Sequence, residues 1–279
     1  MATQEPERRN DCPTEDEIGA LSPWAQVALA ARAAMRVLPA AGVAGDFAVW
    51  GNGETGFKRV EAVEAAILVA LVTSVEGAFS SDLPSLAQAF AMPKSGEGPA
   101  FAVGAAQNLV TAADKAFCAA WYPIEQERPS DGRTCAGSKR AQDVFHCCCS
   151  AAKAAWAAVM HAGSAQGHQI EAEATEARVC AAMRHDLTDL MSTMAPGGCA
   201  VDGRVPAAFF DDRPLWESDQ IANEWVGVIM RWLSALAPFR QEDAVLDATR
   251  WSCQGCGISY CEAVDQLKSY ATRLQGDTA

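Results

Sequence analysis

The sequence predicts an all-α protein: an irregular bundle of about eight or nine helices, folded as one large domain or as two packed lobes. Half of the 279 residues are hydrophobic, and alanine, the best helix former, recurs in runs such as AQVALAARAAM and AAKAAWAAVM. Apolar residues recur at spacings of three and four along most of the chain, which is the period of one helix face. The presence of only three tyrosines and few β-branched runs argues against a large sheet. A chain of this length can bury a sizeable core without a metal or disulfides.

The chain opens with a polar segment, residues 1–13, for which disorder is predicted. A short helical turn is expected next, because Thr14 and Glu17 match a capping box. The first long helix is predicted to open at Ser22 and Pro23, since serine can cap free backbone N–H groups and proline suits the first helical position. Its apolar positions form one stripe: Trp24, Val27, Ala28, Ala31 and Met35.

A glycine-rich loop over residues 40–57 precedes the helix with the clearest period. Apolar positions of that helix recur over nearly twenty residues, which predicts a central, buried helix: Val60, Val63, Ile67, Leu71, Val75 and Ala78. A short helix is predicted through Met92, and a longer one over about 101–121. Residues 14–122 are therefore predicted to form an N-terminal lobe.

Residues 123–137 are the predicted linker, because this stretch is rich in proline, glycine and charge. Residues 138–279 are predicted to form a C-terminal lobe, in which an irregular crossing over 195–216 interrupts the helices. The helices of this lobe are expected at about 138–161, 168–194, 218–237, 242–251 and 259–274.

The acidic balance of the chain restricts its partners. The formal net charge is −13, with a sequence pI near 4.7. Binding to nucleic acid or to an anionic membrane surface is disfavoured by that charge. We therefore expect another protein as the partner, and neither nucleic acid nor a membrane.

The N-terminal residues do not combine the basic start, apolar stretch and small-residue cleavage site of a secretion signal, so a cytoplasmic protein is expected. The longest apolar run, Ala65–Val72, is much shorter than the roughly 20 residues that span a bilayer. It is interpreted as part of a buried helix.

Eleven cysteines are present, and most are expected to be free, packed thiols because the cytosol is reducing. Cys253 and Cys256 nevertheless have the C-x-x-C spacing with which two thiolates bind one zinc ion, and Cys261 is a candidate third ligand. A fourth ligand would have to come from a distant residue: Cys180, Cys199 or His185. Packed thiols, a structural zinc site and a redox pair remain the alternatives for this turn; no other cofactor is expected.

Two further patterns resemble sites but are typical of ordinary helices. In FHCCCS, consecutive helical residues point about 100° apart, so only His146 and Cys149 share a face, and core packing is predicted. The four histidines lie in no known nucleophile motif, and GNGETG has neither the spacing nor the flanking strand of a nucleotide-binding loop. No catalytic residue is predicted.

Aromatic residues cluster in and after the irregular crossing. Trp225 and Trp232 are spaced for one face of the predicted helix over 218–237, and Trp216 lies just before its start. This arrangement is more typical of a core than of a ligand cage. If exposed, they would mark a partner surface. The candidate partner-binding residues are Phe209, Phe210, Trp216 and Trp225.

Two stretches resemble a known family. LSPWAQVALAARAAMRVLP, followed by Trp50 and VEAVEAAI, is similar to the N-terminal part of uncharacterised alanine-rich helical proteins common in planctomycetes and related bacteria. DLTDLMSTMAPGGCAVDGRVPAAFFDDRPLW is similar to a second segment of that family, and together the stretches cover about a third of the chain. A proline and glycine after Trp216 and a tryptophan before Asp202 are missing, and WSCQGC has no counterpart. The resemblance implies a shared helical fold in a bacterial protein, and it transfers no activity and no catalytic residue.

These observations predict a non-catalytic helical adaptor or regulatory subunit that binds another protein through a helix face and the 195–220 loop. A bacterial defence or signalling assembly is the expected setting. Two alternatives remain open: an acidic immunity or inhibitor protein that blocks a basic partner site, and a module stabilised by zinc at the Cys253–Cys256 turn.

Overall fold

The fold is described from a computed structural model that covers residues 12–43, 48–51, 53–77, 99–122, 135–162, 167–195, 203–216, 228, 234 and 258–276. Within these ranges there are eight α-helices and no β-strand, which confirms the predicted all-α class. The helices are α1 (Glu15–Gly19), α2 (Pro23–Val37), α3 (Gly53–Glu76), α4 (Ala100–Trp121), α5 (Cys135–Ala162), α6 (Gly167–Met194), α7 (Ala208–Asp211) and α8 (Tyr260–Gly276). Short 3-10 turns follow α2 at Leu38–Gly42 and precede α3 at Ala48–Trp50.

Both predicted N-terminal helix starts are confirmed. The Thr14 hydroxyl accepts from the Glu17 backbone N–H at 3.3 Å, and the Glu17 carboxylate accepts from the Thr14 N–H at 2.8 Å. The Ser22 hydroxyl accepts from the Ala25 N–H at 3.3 Å, with Pro23 at the first helical position. Local capping alone therefore determines where α1 and α2 begin.

Helix α2 occupies the centre of the fold. Fourteen of its fifteen residues are buried, and α3, α4, α5 and α6 all pack against it. Six of the fifteen are alanine, whose small side chains let neighbouring helices approach on every side. The prediction of a single apolar stripe on this helix is therefore wrong, because α2 is surrounded rather than laid on a surface.

The other long helices lie close to their predicted positions, except that α3 begins at Gly53, inside the stretch 40–57 that was predicted to be a loop. Helix α3 is buried along most of its length, as its apolar period indicates. Helix α5 begins at Cys135 rather than at residue 138, while α4, α6 and α8 match their predicted ranges to within about two residues. The predicted disordered tail, residues 1–13, is described only at Cys12 and Pro13, and both are buried, so the prediction of disorder is wrong for these two residues. Residues 1–11, the helix through Met92 and the helices over 218–237 and 242–251 lie outside the described residues, apart from single helical positions at 228 and 234.

Helices on both sides of the predicted linker share one hydrophobic core. Helices α4 and α5 form the most extensive helix pair and run antiparallel, since Gly104 lies beside Ala157 while Arg140 donates to the Ala119 carbonyl at 3.0 Å. Helix α5 also packs on α2 and α6. Residues 123–134 of the linker are outside the described ranges.

A connecting segment, residues 203–216, crosses from the end of α3 to the side of α2. Its start is fixed by backbone contacts: the Ser22 hydroxyl donates to the Gly203 carbonyl at 2.9 Å, and the Val205 N–H donates to the Ser74 carbonyl at 3.0 Å. Helix α8 packs against α3 and α7, and the Asp211 carboxylate accepts from the Tyr260 N–H at 2.8 Å at its first turn. We call residues 203–216 the crossing segment.

None of the helices in the described ranges is both long enough and apolar enough to span a lipid bilayer.

Candidate functional site

Three charged side chains are buried together between α2 and α6. Arg32 and Arg36 are four residues apart on α2 and therefore share a face. Asp186 of α6 lies between them: its Oδ1 is 3.0 Å from Arg32 Nε, and its Oδ2 is 2.6 Å from Arg36 Nη1. We call these three residues the buried cluster, and it holds one more positive than negative charge.

The remaining arginine donors bind the crossing segment. Arg32 Nη1 donates to the carbonyl of Arg213 at 3.0 Å, and its Nη2 donates to the carbonyl of Pro214 at 2.7 Å. Arg36 Nε donates to the carbonyl of Leu215 at 2.8 Å. Three successive backbone carbonyls thus face the two guanidinium groups, and their partial negative charges offset the excess positive charge.

Aromatic rings complete the enclosure of the arginines. The Arg32 guanidinium lies 5.2 Å from the centre of the Phe209 ring, and the Arg36 guanidinium lies 5.8 Å from that of Trp216. Arg213 lies 5.4 Å from the Phe209 ring centre, so this ring contacts two arginines. These distances fit cation–π contacts, which gain strength where water is excluded.

This placement corrects the prediction that the aromatic residues of this region form a partner surface. Phe209, Phe210 and Trp216 are buried in the chain's own core, where Phe209 and Trp216 lie against the two buried arginines and Phe210 contacts Phe209. The exposure that would make them partner-binding residues is therefore absent. Trp225 and Trp232 lie outside the described residues.

The opposite charges of the buried cluster counteract the effect of burial on Asp186 and Arg32. Burial opposes ionisation of Asp186, but the charges of Arg36 and Arg32 and their hydrogen bonds outweigh it and lower the pKa of this carboxyl group. Burial lowers the pKa of Arg32, while Asp186 opposes that change. Such an arrangement, in which the carboxylate faces two arginines and the arginines face carbonyl oxygens, is suited to holding backbone in place.

The outer edge of the buried cluster reaches solvent. The Asp189 carboxylate pairs with the guanidinium of Arg213 and lies 3.4 Å from His185 Nδ1. All three side chains are partly exposed. His185, a candidate fourth zinc ligand, therefore belongs to this ion-pair edge.

A second polar cluster joins the end of α4 to the start of α5. Asp143 accepts from Lys115 Nζ at 2.9 Å and from the Tyr122 hydroxyl at 2.6 Å. Arg140 donates to the carbonyls of Ala119 and Tyr122, at 3.0 and 2.7 Å, so it caps the C-terminus of α4. Burial lowers the pKa of Arg140 to about 10, which leaves it charged at neutral pH.

Cys118 lies beside this second cluster, but its thiol is not activated. Its pKa is raised by burial and by the neighbouring carboxylates of Asp114 and Asp143. A nucleophilic cysteine requires the opposite shift, toward the thiolate. The cluster therefore connects two helices and shows no sign of a covalent catalytic site.

The prediction that the cysteines of FHCCCS pack in the core is confirmed. Cys147 and Cys148 are buried and Cys149 is half-buried. The Cys147 thiol donates to the Ala30 carbonyl on α2 at 3.4 Å, and burial raises the pKa of all three thiols. These side chains behave as small apolar groups between helices.

The proposed zinc ligands are only partly described. Cys261 is an exposed free thiol in the first turn of α8, whereas Cys253, Cys256 and Cys199 lie outside the described residues. In the part of the chain that is described, no three histidine, cysteine or carboxylate side chains form a metal-binding group. The zinc site stays a prediction.

A disulfide joins Cys12 to Cys180, which was a candidate zinc ligand. The two cysteines are 168 positions apart, and their Cα atoms are 4.3 Å apart. Five other cysteines of the described ranges are free: Cys118, Cys147, Cys148, Cys149 and Cys261. Because no local pattern links two such distant positions, sequence reasoning did not find the pair.

Large apolar side chains are exposed at both ends of the long helices. Trp121, the last residue of α4, is 70% exposed and stacks on Phe117, with ring centres 5.8 Å apart and an interplanar angle of 25°. Ile170 in the first turns of α6 is 74% exposed. No sequence pattern set Trp121 apart, because its exposure depends on how α4 packs.

Comparisons of the chain with models of protein families, with curated proteins and with solved structures returned no match.

Proposed function

We propose that this protein is a non-catalytic helical interaction subunit, an adaptor or regulatory component that binds another protein through a surface centred on Trp121. The observation that carries this proposal is the exposure of the Trp121 indole at the end of a rigid helix. Exposed indole is unfavourable in water, and tryptophan is enriched among the residues that dominate binding energy at protein interfaces. Such a side chain contributes most to the binding free energy when a partner covers it.

The backbone at Trp121 is held in place by its neighbours. Phe117 stacks on the indole from one turn earlier. Tyr122 is fixed by three contacts: its hydroxyl donates to Asp143, its carbonyl accepts from Arg140, and Lys139 Nζ lies 5.1 Å from its ring centre. A side chain presented from ordered backbone loses less conformational entropy on binding, which favours affinity.

The charge of the chain indicates the complementary surface. With a formal net charge of −13, the protein is attracted over a distance to a basic surface. The partner is therefore proposed to carry an apolar pocket for the indole and a basic surface elsewhere. A bacterial defence or signalling assembly is the proposed setting.

Affinity capture with the purified chain as bait tests the proposal. The wild-type protein is expected to retain a specific partner from a lysate of its source organism, and Trp121→Ala is expected to lose it with a decrease in affinity of about 30-fold or more. The matched control is Ile170→Ala, which removes an equally exposed apolar side chain at the other end of the bundle. That variant is expected to bind like the wild type.

Two results would contradict the proposal. One is equal retention of the partner by wild type and Trp121→Ala, which would place the interface elsewhere. The other is a protein that stays a lone monomer in native lysate on size exclusion and captures nothing. Circular dichroism of both variants checks that their folds are unchanged.

The same net charge also favours a second candidate, an acidic immunity or inhibitor protein that covers a basic functional site. Co-expression with each neighbouring gene separates the two candidates. Relief of a neighbour's toxicity supports the inhibitor, and a neighbour that is bound without any loss of its activity supports the adaptor.

A further inference from the structure

The Cys12–Cys180 disulfide fastens the first described residues of the chain to α6. We infer that this pair is a reversible thiol–disulfide site, and that its reduction releases residues 12–21 from the bundle. We call these residues the N-terminal segment. This inference is independent of the proposed Trp121 interface.

Besides the disulfide, the N-terminal segment is held by polar contacts with α6 and by the packing of α1 on α5. Arg184 of α6 donates to the Cys12 carbonyl at 3.0 Å and pairs with the Glu17 carboxylate at 2.7 Å. Pro13, Ile18 and Leu21 are buried as well as Cys12, and the Leu21 carbonyl accepts from the Gln26 side chain at 3.0 Å. The disulfide adds a covalent link to these contacts, and it restricts a segment in which each ordered residue loses backbone entropy.

The helix within the segment is too short to persist without this attachment. Helix α1 has five residues, and isolated helices shorter than about 12 residues are marginal in water. Its capping box is exposed to water and stabilises the helix only slightly once the segment leaves the bundle. Loss of the disulfide is therefore expected to loosen the whole segment rather than only its first residue.

Access to the sulfur atoms depends on the same segment. Cys12 and Cys180 are buried, so an external thiolate reaches them only after the N-terminal segment opens. Arg184, one turn beyond Cys180, is partly exposed together with Glu17, so their ion pair can open to solvent. The rate of reduction therefore depends on how often the segment opens, and each opening breaks the Arg184 contacts together with the packing of Ile18.

The chemistry requires a dithiol reductant. One thiolate of the reductant attacks a sulfur of the disulfide, the bond between the two cysteine sulfurs breaks, and a mixed disulfide forms. The second thiol of the reductant then displaces the protein thiolate. Two electrons pass to the protein, each cysteine gains a proton, and the reductant leaves as its own disulfide.

Release of the segment would uncover apolar surface on α5. Gly19 of α1 lies next to Ala141, close enough that a Cβ on the glycine would be 4.0 Å from the alanine Cβ. Ile18, fully buried in the oxidised protein, would move into water with the segment. Reduction therefore changes both the mobility of the N-terminus and the surface of α5 beside it.

A redox titration of the full-length protein tests this inference. The protein is equilibrated at a series of ratios of reduced to oxidised dithiothreitol, free thiols are trapped with iodoacetamide, and peptide mass mapping reads each cysteine. Cys12 and Cys180 are expected to become alkylated together. At the same ratios, amide hydrogen exchange of residues 14–21 should accelerate about tenfold or more, while α2 and α4 are unchanged.

Two variants and one control test the roles of the disulfide and of Arg184. Cys12→Ser should show the fast exchange of residues 14–21 even under oxidising conditions. Arg184→Lys retains the charge but not the two-pronged contact, so its disulfide should be reduced severalfold faster than that of wild type. The matched control Cys261→Ser removes an exposed free thiol and should change neither measurement.

Each of three outcomes would overturn the inference. Cys12 and Cys180 are alkylated at every ratio, which means that no disulfide forms. They resist reduction at every ratio at which the protein stays folded, which makes the bond purely structural. Or they are reduced without any change in the exchange of residues 14–21, which means that other contacts hold the segment.

Discussion

Arg36 Nη1 lies 2.6 Å from Asp186 Oδ2, and both side chains are almost fully buried, at 1% and 3% exposure. This contact links the central helix α2 to α6 inside the core. The same arginine holds the crossing segment through the Leu215 carbonyl. Asp186 therefore stabilises two elements at once: α6 directly, and the crossing segment through the arginine.

Replacing Asp186 by asparagine should destabilise the fold strongly. Two guanidinium groups would remain buried without a carboxylate to neutralise them, and the asparagine amide would present an NH2 donor to one of them in place of an acceptor. Breaking a buried pair in this way costs about 3–5 kcal/mol. Urea unfolding measures the loss. Asp189→Asn, at the partly exposed edge of the cluster, is the control and should lose less than about 1 kcal/mol. Equal losses in the two variants would show that the buried pair has no special role.

Gly77→Ala should destabilise the junction between α3 and the crossing segment. Gly77 has φ +81°, and a Cβ there would lie 2.9 Å from Arg204 Cδ. We expect a loss of about 1–2 kcal/mol in unfolding free energy. Gly53→Ala isolates the backbone contribution, because Gly53 has φ +42° and nothing within 4 Å of its Cβ position. Thermal unfolding should show the larger decrease for Gly77→Ala, and the reverse order would refute the predicted clash.

The N-terminal segment should loosen in acid. Hydrogen bonding to the Thr14 backbone N–H, the contact with Arg184 and the hydrogen bond to the Thr14 side chain lower the pKa of Glu17 to about 2 from its ordinary 4.5. A lowered folded-state pKa means that the contribution is fully present above pH 4.5 and is lost as the pH falls from 4.5 toward 2. Because the carboxylate is partly exposed, the effect should stay below about 1 kcal/mol.

Amide exchange of residues 14–21, followed from pH 6 to pH 3 and corrected for intrinsic rates, measures this effect. Glu17→Gln should remove the pH dependence while leaving the rest of the bundle unchanged. If the Glu17→Gln variant keeps the same pH dependence, a group other than Glu17 causes it.

Thiol reactivity should follow burial. Cys261 is exposed, whereas Cys147 and Cys148 are buried and have raised pKa values, so their thiolates are both scarce and inaccessible. Timed alkylation of the native protein with mass mapping should modify Cys261 first. Cys147 and Cys148 should react only as the protein unfolds, so their early modification would contradict the placement of FHCCCS in the core.

Local sequence patterns predicted the long helices of the described ranges but not the short helix α7 or the first turns of α3. The Thr14–Glu17 capping box and the Ser22–Pro23 start depend on contacts within one turn, so neighbouring residues suffice to predict them. The apolar period likewise predicted α3 and its burial. It did not predict that α2 is buried on every side, because alanine is compatible with both exposed and buried helix faces.

The candidate sites were harder to predict. Arg32 and Arg36 look like solvent-facing residues of an alanine-rich helix, and only the position of Asp186, some 150 residues later, makes their burial favourable. Phe209 and Trp216 look like a partner surface until those arginines enclose them. Trp121 carries no local sign that its indole is exposed.

By itself, the sequence determined that the chain is helical and where several helices begin, because capping and apolar period act over three or four residues. Only the tertiary structure decided that Arg36 meets Asp186, that Cys12 meets Cys180, and that Trp121 rather than Trp216 faces water. These pairings depend on how whole helices pack, and the energies of buried charge and close packing are set by contacts between residues far apart in the chain.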